Sequence, residues 1–428
     1  MSAFTPVRQL FVHRRLSNGE KVAVGQLAQN TQGVFFQYDE NYIAHYHNLS
    51  PFKLTIDNQL QAAPAVPHAG LHGVFGDSLP DGWGLLLMNR AFRRHGIPHH
   101  KITVLDRLAY IGEHGMGALS YTPASVIAQT HVDARVDLAQ LGHDAEALYE
   151  GTMEEVLPQL AIGGSSAGAR PKSQIFIDSH CPEQVSTQAK PGLEPWLIKF
   201  TADPFLLGHE EGLCEAAYLK MASMAGIDVP QWQLTSAPAK EKAIAWLTMR
   251  RFDCTSDKDW QGRYHVQSLC ALLDADFRQP SLDYMDIIGM GQTLCQSPAV
   301  GQKLFRRAMF NLFSGNQDDH CKNAAFLMDD KGEWTPTPAY DLTFSPTPYG
   351  EHTTSFDGYG KAPPLKVIQK MADHACFKDW SQAKGVIQEV MESISQWVII
   401  ANELGISRQI KKQIHDQLNI LWKENRID

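Results

Sequence analysis

The segment Asn316–Asn323, with the sequence N-Q-D-D-H-C-K-N, constrains this chain more than any other part of it. A carboxylate, Asp318, precedes the amide side chain of Asn323, and a second carboxylate, Asp341, follows after a strand-turn-strand pattern. Phosphoryl transfer from a nucleotide needs a carboxylate that orients the attacking hydroxyl group, together with oxygen ligands that hold magnesium against the phosphates. These three residues therefore predict a site for this chemistry, with Asp318 as the base.

The spacing of Asp318 and Asn323 matches the catalytic-loop pattern H-R-D-x-x-x-x-N of protein kinases. Two alternatives remain open for an isolated match. Aspartates also begin turns and cap helices, and Asp318, Asp319 and His320 together are a possible site for a water-activating metal in a hydrolase. The presence of Lys199 and Asp341 elsewhere in the chain favours the kinase interpretation.

A Gly/Ser-rich segment, I-G-G-S-S-A-G-A-R-P-K-S at Ile162–Ser173, precedes a β-like run at Gln174–Ile177. Small residues allow the backbone to approach phosphate oxygens closely, and successive N–H groups can form an anion-binding nest. The segment is not a Walker A loop, because Pro171 stands where that motif needs glycine before the lysine. A flexible connector is the alternative interpretation.

The strand-like segment Trp196–Phe200, W-L-I-K-F, contains Lys199 within an apolar run. A buried ammonium group needs an anionic partner, and Glu215, on the helical run that follows, is the best candidate in the sequence. The alternative is a lysine that extends to solvent at a sheet edge.

The segment Thr248–Asp253, T-M-R-R-F-D, predicts a strand that ends in an aromatic residue and a carboxylate. An adenine ring could stack on Phe252, although an ordinary core aromatic at a strand end is an equally good interpretation.

The remaining pattern predicts an N-terminal β unit and a mostly helical C-terminal part. A helix is expected to start at Pro80 or Asp81 and to end in the basic residues Arg90–His95. The long segment Ser345–Pro364 is expected to be either a functional loop or disordered. The predicted N-terminal strands are Gln9–His13, Lys21–Gln26, Gly33–Tyr38 and Tyr42–Tyr46, and the predicted later helices are Val266–Leu273, Gln302–Phe313 and two amphipathic helices within Ala383–Asp428.

The length and net charge of the chain limit the classes of protein to which it can belong. A chain of 428 residues exceeds the usual single-domain range and predicts two or three domains. The net charge of −9 argues against a protein that mainly coats nucleic acid. The sequence shows no signal-peptide pattern or membrane-spanning run, so a cytoplasmic location is expected. The 7 cysteines are scattered without a C-x-x-C pair, which indicates neither a disulfide framework nor a zinc site.

The order of these parts resembles the HipA kinase toxins of bacterial toxin–antitoxin modules. Four motifs carry the resemblance, which covers nearly the whole chain. They are L-P-D-G-W-G at Leu79–Gly84, I-G-E-H-G-M-G-A-L-S-Y at Ile111–Tyr121, G-S-S-A-G-A-R-P-K at Gly164–Lys172, and H-x-K-N at His320–Asn323.

The resemblance implies an α+β, two-lobed protein-kinase-like fold. Its expected parts are an N-terminal HipA-type subdomain at residues 1–125, the rest of the N-lobe at 126–255, and a helical C-terminal catalytic lobe at 256–428.

The resemblance also implies a kinase that uses ATP and Mg²⁺, with Asp318 as the catalytic base. Asn323 and Asp341 become the metal ligands, and Lys199, paired with Glu215, becomes the phosphate-binding lysine. Ser165 corresponds to the autophosphorylated, inactivating serine, with Ser166 as the alternative. The implied ATP-binding residues are Ser166, Ala167, Gly168, Ala169, Lys199, Arg250, Phe252, Asp253, His320, Lys322, Asn323, Tyr340 and Asp341.

The partners that the resemblance implies are a HipB-like helix-turn-helix antitoxin and a protein substrate, typically glutamyl-tRNA synthetase or another aminoacyl-tRNA synthetase. DNA is expected only through the antitoxin complex, and a role in persistence is implied. Arg170 and Pro171 depart from the polar-acidic pair that is more frequent in the family, which leaves the choice between Ser165 and Ser166 open. The alternative function is a catalytically weak kinase-fold protein that acts as an antitoxin-binding co-repressor.

Overall fold

The computed structural model describes residues 4–127, 137–153, 160, 168–178, 181–203, 206–237, 243–256 and 260–426. In these residues, thirteen strands form three sheets. The strand pairs in each sheet are antiparallel, and most of the helices follow the second sheet. Antiparallel sheets with segregated helices define an α+β architecture. The fold class that the sequence predicts is therefore confirmed.

The N-terminal sheet has the strand order β4-β3-β2-β1-β5. Alternate residues of β1, such as Leu10 and Val12, are fully buried, as expected for a sheet with one face on the core. The elements of this region are β1 (Gln9–Arg15), β2 (Lys21–Asn30), β3 (Gly33–Tyr38), α1 (Glu40–His45), β4 (Gln61–Ala62), α2 (Gly73–Gly76), α3 (Gly82–Arg94), α4 (Val104–Ile111) and β5 (Leu119–Thr122).

The predicted strand at Tyr42–Tyr46 is wrong, because this segment belongs to helix α1. The side chain of Asp39 accepts hydrogen bonds from the backbone N–H groups of Asn41 and Tyr42 and so caps the helix. Tyr42 is fully buried and stacks on Tyr38 with ring centroids 5.8 Å apart. The cap and this packing outweigh the β propensity of the tyrosines.

The second sheet has the order β7-β6-β8-β10-β9 and supplies one wall of the cleft described below. The predicted strands Gln174–Ile177 and Trp196–Phe200 correspond to β6 and β8. Strand β10 ends at Arg250, three residues earlier than predicted. The elements are α5 (Leu138–Glu150), β6 (Lys172–Asp178), β7 (Cys181–Ser186), β8 (Leu193–Lys199), α6 (Glu211–Met224), β9 (Trp232–Ser236) and β10 (Ala245–Arg250).

The C-terminal part combines a small sheet, of order β11-β12-β13, with seven helices in the described residues. Helix α9 ends at Ser314 and leads directly into the Asn316–Asn323 segment. The elements are β11 (His265–Ser268), α7 (Leu269–Leu273), α8 (Tyr284–Leu294), α9 (Pro298–Ser314), β12 (Ala325–Met328), β13 (Trp334–Pro336), α10 (Leu365–His374), α11 (Trp380–Ser395), α12 (Trp397–Glu403) and α13 (Arg408–Glu424).

Two helix predictions in this part need correction. The first half of Val266–Leu273 is strand β11, because Val266 pairs with Leu327 of β12, and Ser268 then caps helix α7. The C-terminal segment holds three helices where two are predicted, because the chain turns at Gln396 between α11 and α12.

The two largest of the three hydrophobic cores in the described residues hold these parts in place. The larger core runs from the N-terminal sheet to the C-terminal helices, and the second lies between the second sheet, α3 and α5. Trp83, at the start of α3, is 1% exposed within the second core. This packing brings the first turn of α3 close to β6. No helix in the described residues is both long enough and apolar enough to cross a membrane.

Candidate active site

A cleft of about 450 Å³ is lined by the α2–α3 region, the second sheet and the Asn316–Asn323 segment. It brings together most of the site residues that the sequence predicts. Those at the cleft are Gly168, Ala169, Lys199, Arg250, Phe252, Asp318, His320, Lys322, Asn323, Tyr340 and Asp341. Ser165, Ser166 and Ala167 lie outside the described residues.

Lys199, the last residue of β8, joins two carboxylates from distant parts of the chain. Its Nζ lies 2.5 Å from Glu215 Oε1 on helix α6, and it also contacts Asp341 Oδ1. Glu215 is 1% exposed. Burial alone would lower the pKa of Lys199, but Asp341 and Glu215 outweigh that effect and raise it. The lysine therefore stays charged at the base of the cleft.

Asp341 adopts a left-handed backbone conformation with φ of 52°. Its side chain is 30% exposed, so it reaches the cleft while contacting Lys199. Although burial opposes ionisation, Lys199 and Lys172 hold the pKa of Asp341 well below its usual range. A strained conformation at a charged cleft residue is typical of functional sites.

The Asn316–Asn323 segment directs two neighbouring aspartates in opposite directions. Asp318 is exposed at the cleft, with 60% of its side chain accessible, whereas Asp319 is buried. The side chain of Asn323 donates through Nδ2 to the backbone oxygen of Asp318 at 2.7 Å, which closes the turn. Partial desolvation by the walls of the cleft and the charge of Asp341 raise the pKa of Asp318, against the opposing effect of His320.

Asp319 is held by three partners from two other segments, helix α8 and the Ser345–Pro364 loop. Tyr284 Oη donates to its Oδ2 at 2.7 Å, His352 Nδ1 lies 2.8 Å from the same oxygen, and the N–H of Thr354 donates to Oδ1. The Ser345–Pro364 loop is thus tied to the Asn316–Asn323 segment. Because Asp319 points away from the cleft, the geometry does not support its use as a metal ligand beside Asp318.

Phe252 and Tyr340 form an aromatic wall of the cleft. Their rings are stacked, with centroids 5.7 Å apart and an interplanar angle of 25°. Tyr340 Oη also donates to the backbone oxygen of Lys322 at 2.7 Å, which fixes its ring. A flat base can stack against such a wall.

The prediction that Asp253 contacts nucleotide needs correction. Asp253 is fully buried and is not among the residues that line the cleft. It forms an ion pair with Arg251 at 2.5 Å and accepts a hydrogen bond from the N–H of Gly117 at 2.7 Å. These contacts join strand β10 to the segment that precedes β5, so the position of Asp253 is structural.

Several residues that line or adjoin the cleft are not among the site residues predicted from the sequence. Lys172 begins β6 and is 4% exposed, and burial lowers its pKa although Asp341 acts in the opposite direction. Arg170 pairs with Glu211 at 2.5 Å, and Asp81 pairs with Lys322 at 2.6 Å. The only sequence signal for Lys172 and Asp81 is that they belong to motifs of the family resemblance.

Two protein-family models match the sequence. The HipA N-terminal domain covers residues 19–122 and the HipA-like C-terminal domain covers residues 164–398. The chain belongs to the HipA family. The family that the sequence motifs predict is confirmed.

Similar proteins extend this finding. The putative kinase Y4mE of Sinorhizobium fredii is 27% identical over 339 residues, which are 74% of this chain and 74% of that protein. The putative kinase Y4dM of the same organism is 26% identical over 269 residues, which are 60% of this chain and 63% of that protein. The chain thus spans under two thirds of the length of Y4dM.

A solved structure shares the fold over nearly its whole length. It is the complex of the toxin–antitoxin proteins HipA and HipB with operator DNA from Shewanella oneidensis MR-1. The similarity has a TM-score of 0.66 and covers 97% of this chain and 96% of that chain, at 16% sequence identity. At this identity, the likeness establishes that this chain has the same fold.

Proposed function

We propose that this HipA-family chain is a serine/threonine protein kinase that transfers the γ-phosphate of ATP to a protein hydroxyl group with the help of Mg²⁺. One observation carries the proposal. Lys199 contacts both Glu215 and Asp341 in the same cleft that exposes Asp318. A strand lysine, a helix glutamate and a late aspartate are the parts that position nucleotide phosphates in kinases.

In this mechanism Asp318 orients the hydroxyl group of the protein substrate and accepts its proton. Its exposure at the cleft leaves room for a substrate side chain, and a raised pKa makes its carboxylate a better base. Lys199 neutralises phosphate charge while Glu215 holds its ammonium group in place. Phe252 and Tyr340 offer the stacking surface for adenine.

Asp341 and Asn323 fit a magnesium site. Mg²⁺ prefers oxygen ligands and commonly uses one or two carboxylates together with substrate phosphates. Asn323 donates through Nδ2, which leaves its amide oxygen as the ligand atom. When bound, Mg²⁺ would supply charge neutralisation for the phosphates. Asp341, which contacts Lys199 in the structure, and Asn323 are the residues that would hold it.

Regulation and partners form the finer part of the proposal. We expect autophosphorylation at Ser165, or at the neighbouring Ser166, to inactivate the kinase. A phosphate adds roughly −1.5 to −2 charges beside the bound nucleotide phosphates.

Family membership and the HipA–HipB–DNA neighbour support a HipB-like antitoxin as partner, with DNA bound through that antitoxin. An aminoacyl-tRNA synthetase such as glutamyl-tRNA synthetase is the proposed substrate.

The test is incubation of unphosphorylated, purified protein with Mg²⁺ and γ-labelled ATP, followed by intact mass measurement and peptide mapping. We expect one phosphate on the Gly164–Lys172 peptide and none in the Asp318→Ala variant. Asp416→Ala, at an exposed position of α13, is the matched control and should be labelled like the original chain.

The outcomes separate the alternatives. Retained labelling in Asp318→Ala would remove Asp318 from the role of base. Absence of label and of ATP binding in the folded original chain would favour the co-repressor function, which predicts antitoxin binding without catalysis.

A further inference from the structure

Asp81 stands at the N-cap position of helix α3, but its side chain does not cap that helix. A capping aspartate normally accepts hydrogen bonds from the first turn of its own helix. Here Oδ1 accepts a hydrogen bond from the N–H of Gly168, and Oδ2 lies 2.6 Å from Lys322 Nζ. A carboxylate from the N-terminal region therefore links the end of the Gly/Ser segment to the catalytic segment.

Further contacts between the start of α3 and residues 168–172 hold Asp81 beside Gly168. The backbone N–H of Trp83 donates to the oxygen of Gly168 at 3.1 Å, and the indole N–H of Trp83 donates to the oxygen of Lys172 at 2.9 Å. Gly82 has a φ of +39°, and a Cβ atom there would lie 2.6 Å from Ala169 Cα. Only glycine permits this approach.

The two groups that contact Asp81, the N–H of Gly168 and the ammonium group of Lys322, are of kinds that bind phosphate in other proteins. A backbone N–H from a glycine-rich segment and a lysine ammonium group are common ligands of phosphate oxygens. Lys322 Nζ also lies 4.3 Å from the ring centroid of Phe277, so the ring restricts its position. Asp81 and Lys322 are both largely buried, at 17% and 15% exposure of their side chains.

The carboxylate of Asp81 is charged. Burial acts to raise its pKa, but Lys322 and the N–H of Gly168 outweigh burial and hold the pKa below its usual value. Asp81 and a nucleotide phosphate would thus present the same charge and the same acceptor atoms to the same two donors.

We propose that Asp81 is an internal competitor of the nucleotide phosphates. Binding of a triphosphate transfers the N–H of Gly168 and the ammonium group of Lys322 from the carboxylate to phosphate oxygens. The N-terminal region therefore sets the affinity of the cleft for nucleotide. This inference rests on the proposed function, because it requires that the cleft binds ATP.

The test uses Asp81→Asn in the full chain. Asparagine has nearly the same shape, and its amide oxygen can still accept from the N–H of Gly168, but it carries no negative charge. Glu113→Gln is the matched control, because it also removes one charge from the N-terminal region at a salt bridge with Lys21 outside the cleft. Affinities for adenosine and for a non-hydrolysable ATP analogue with Mg²⁺ are measured by titration calorimetry.

We expect Asp81→Asn to bind the ATP analogue on the order of tenfold more tightly, the scale of one hydrogen bond to a charged group. Adenosine affinity should be unchanged, and Glu113→Gln should behave like the original chain. Unchanged or weaker binding of the ATP analogue by Asp81→Asn would overturn the inference while leaving the proposed function intact. Failure of the folded original chain to bind the analogue would contradict the proposed function itself.

A double-mutant cycle tests whether the change in ATP affinity depends on Lys322. In a Lys322→Gln background, Asp81 has lost its ammonium partner, so adding Asp81→Asn should change ATP affinity by less than about twofold. A gain of about tenfold that persists in this background would show that competition for Lys322 is not the cause, and would overturn the proposal.

Discussion

Lys172 and Lys199 lie directly opposite each other on the antiparallel strands β6 and β8, and both side chains are buried. Like charges at facing positions destabilise a sheet, and burial of an ammonium group is costly. The two lysines differ in their surroundings. Lys199 contacts Glu215 and Asp341 and has a raised pKa, whereas burial lowers the pKa of Lys172.

Methionine at the two positions should therefore have unequal effects on stability. Lys199→Met leaves Glu215 buried without its ammonium partner, which should lower the unfolding free energy by about 3 to 5 kcal/mol. Lys172→Met keeps an apolar chain of similar length and removes both the repulsion by Lys199 and the attraction to Asp341, so a smaller loss of less than about 2 kcal/mol is expected. Urea unfolding of both variants measures the difference. Equal losses would contradict this account.

Glu211 should make stability depend on pH. Burial raises the pKa of Glu211 to about 7, and the ion pair between Oε1 and Arg170 only partly opposes this rise. The other oxygen, Oε2, is buried without a hydrogen-bond partner in the described part of the chain. The folded state binds the proton more tightly than the unfolded state, whose pKa is near 4.5. This contribution to stability is present below pH 4.5 and is lost as the pH rises to about 7.

Glu211→Gln should remove that loss. We expect the difference in unfolding free energy between pH 5 and pH 8 to shrink by roughly 1 to 3 kcal/mol in the variant, given 1.36 kcal/mol per pKa unit. Glu113→Gln, at a half-exposed carboxylate whose pKa is lowered by Lys21, is the control and should leave the difference between pH 5 and pH 8 nearly unchanged. An identical profile in Glu211→Gln would contradict the role of Glu211.

The parts of the site that local sequence predicts are those whose signal is confined to one segment. Lys199 interrupts an apolar strand, and Asp318 and Asn323 share a short spacing, so each is visible without the fold. Asp81 and Lys172 become cleft residues only through the packing of Trp83 between α3 and β6. That approach joins segments far apart in the sequence, and no local pattern encodes it.

The failed predictions have a common physical origin. Side-chain partners override local propensity at Tyr42, where the Asp39 cap favours a helix, and at Val266, where pairing with β12 favours a strand. Asp253 is drawn inward by the guanidinium group of Arg251. The Asp39 cap is a signal in the local sequence, whereas the strand that pairs with Val266 and the burial of Asp253 are identified only when the tertiary structure is known.

The buried contacts of Asp319 should position the Asn316–Asn323 segment, which carries the proposed base Asp318. Asp319→Ala removes the acceptor of Tyr284 Oη and of the N–H of Thr354, and it leaves His352 Nδ1 without its carboxylate. Unsatisfied buried donors should lower the unfolding free energy by about 2 to 5 kcal/mol. Tyr284→Phe removes one donor to Asp319 and also the acceptor of Asn311 Nδ2, and it should cost about 1 to 3 kcal/mol.

The kinetic consequence distinguishes positioning from a general loss of stability. At a temperature where Asp319→Ala is folded, we expect kcat for autophosphorylation to fall at least tenfold while KM for ATP changes little, because Lys199 and Phe252 remain in place. A fall in kcat matched by an equal rise in KM would point to a disturbed nucleotide site instead.

The stacked pair of Phe252 and Tyr340 should determine base affinity and leave phosphate binding unaffected. Phe252 lines the cleft and its ring stacks on Tyr340, so a base can lie against this wall. Phe252→Ala should weaken ATP and adenosine binding by about 5- to 150-fold, the range for one lost base–aromatic stack of about 1 to 3 kcal/mol. Affinity for inorganic tripolyphosphate should stay the same, because Lys199 and Lys322 are unchanged.

Phe252→Tyr retains the ring and should keep most of the ATP affinity. Equal weakening of ATP and tripolyphosphate in Phe252→Ala would show instead that this aromatic residue supports the cleft as a whole.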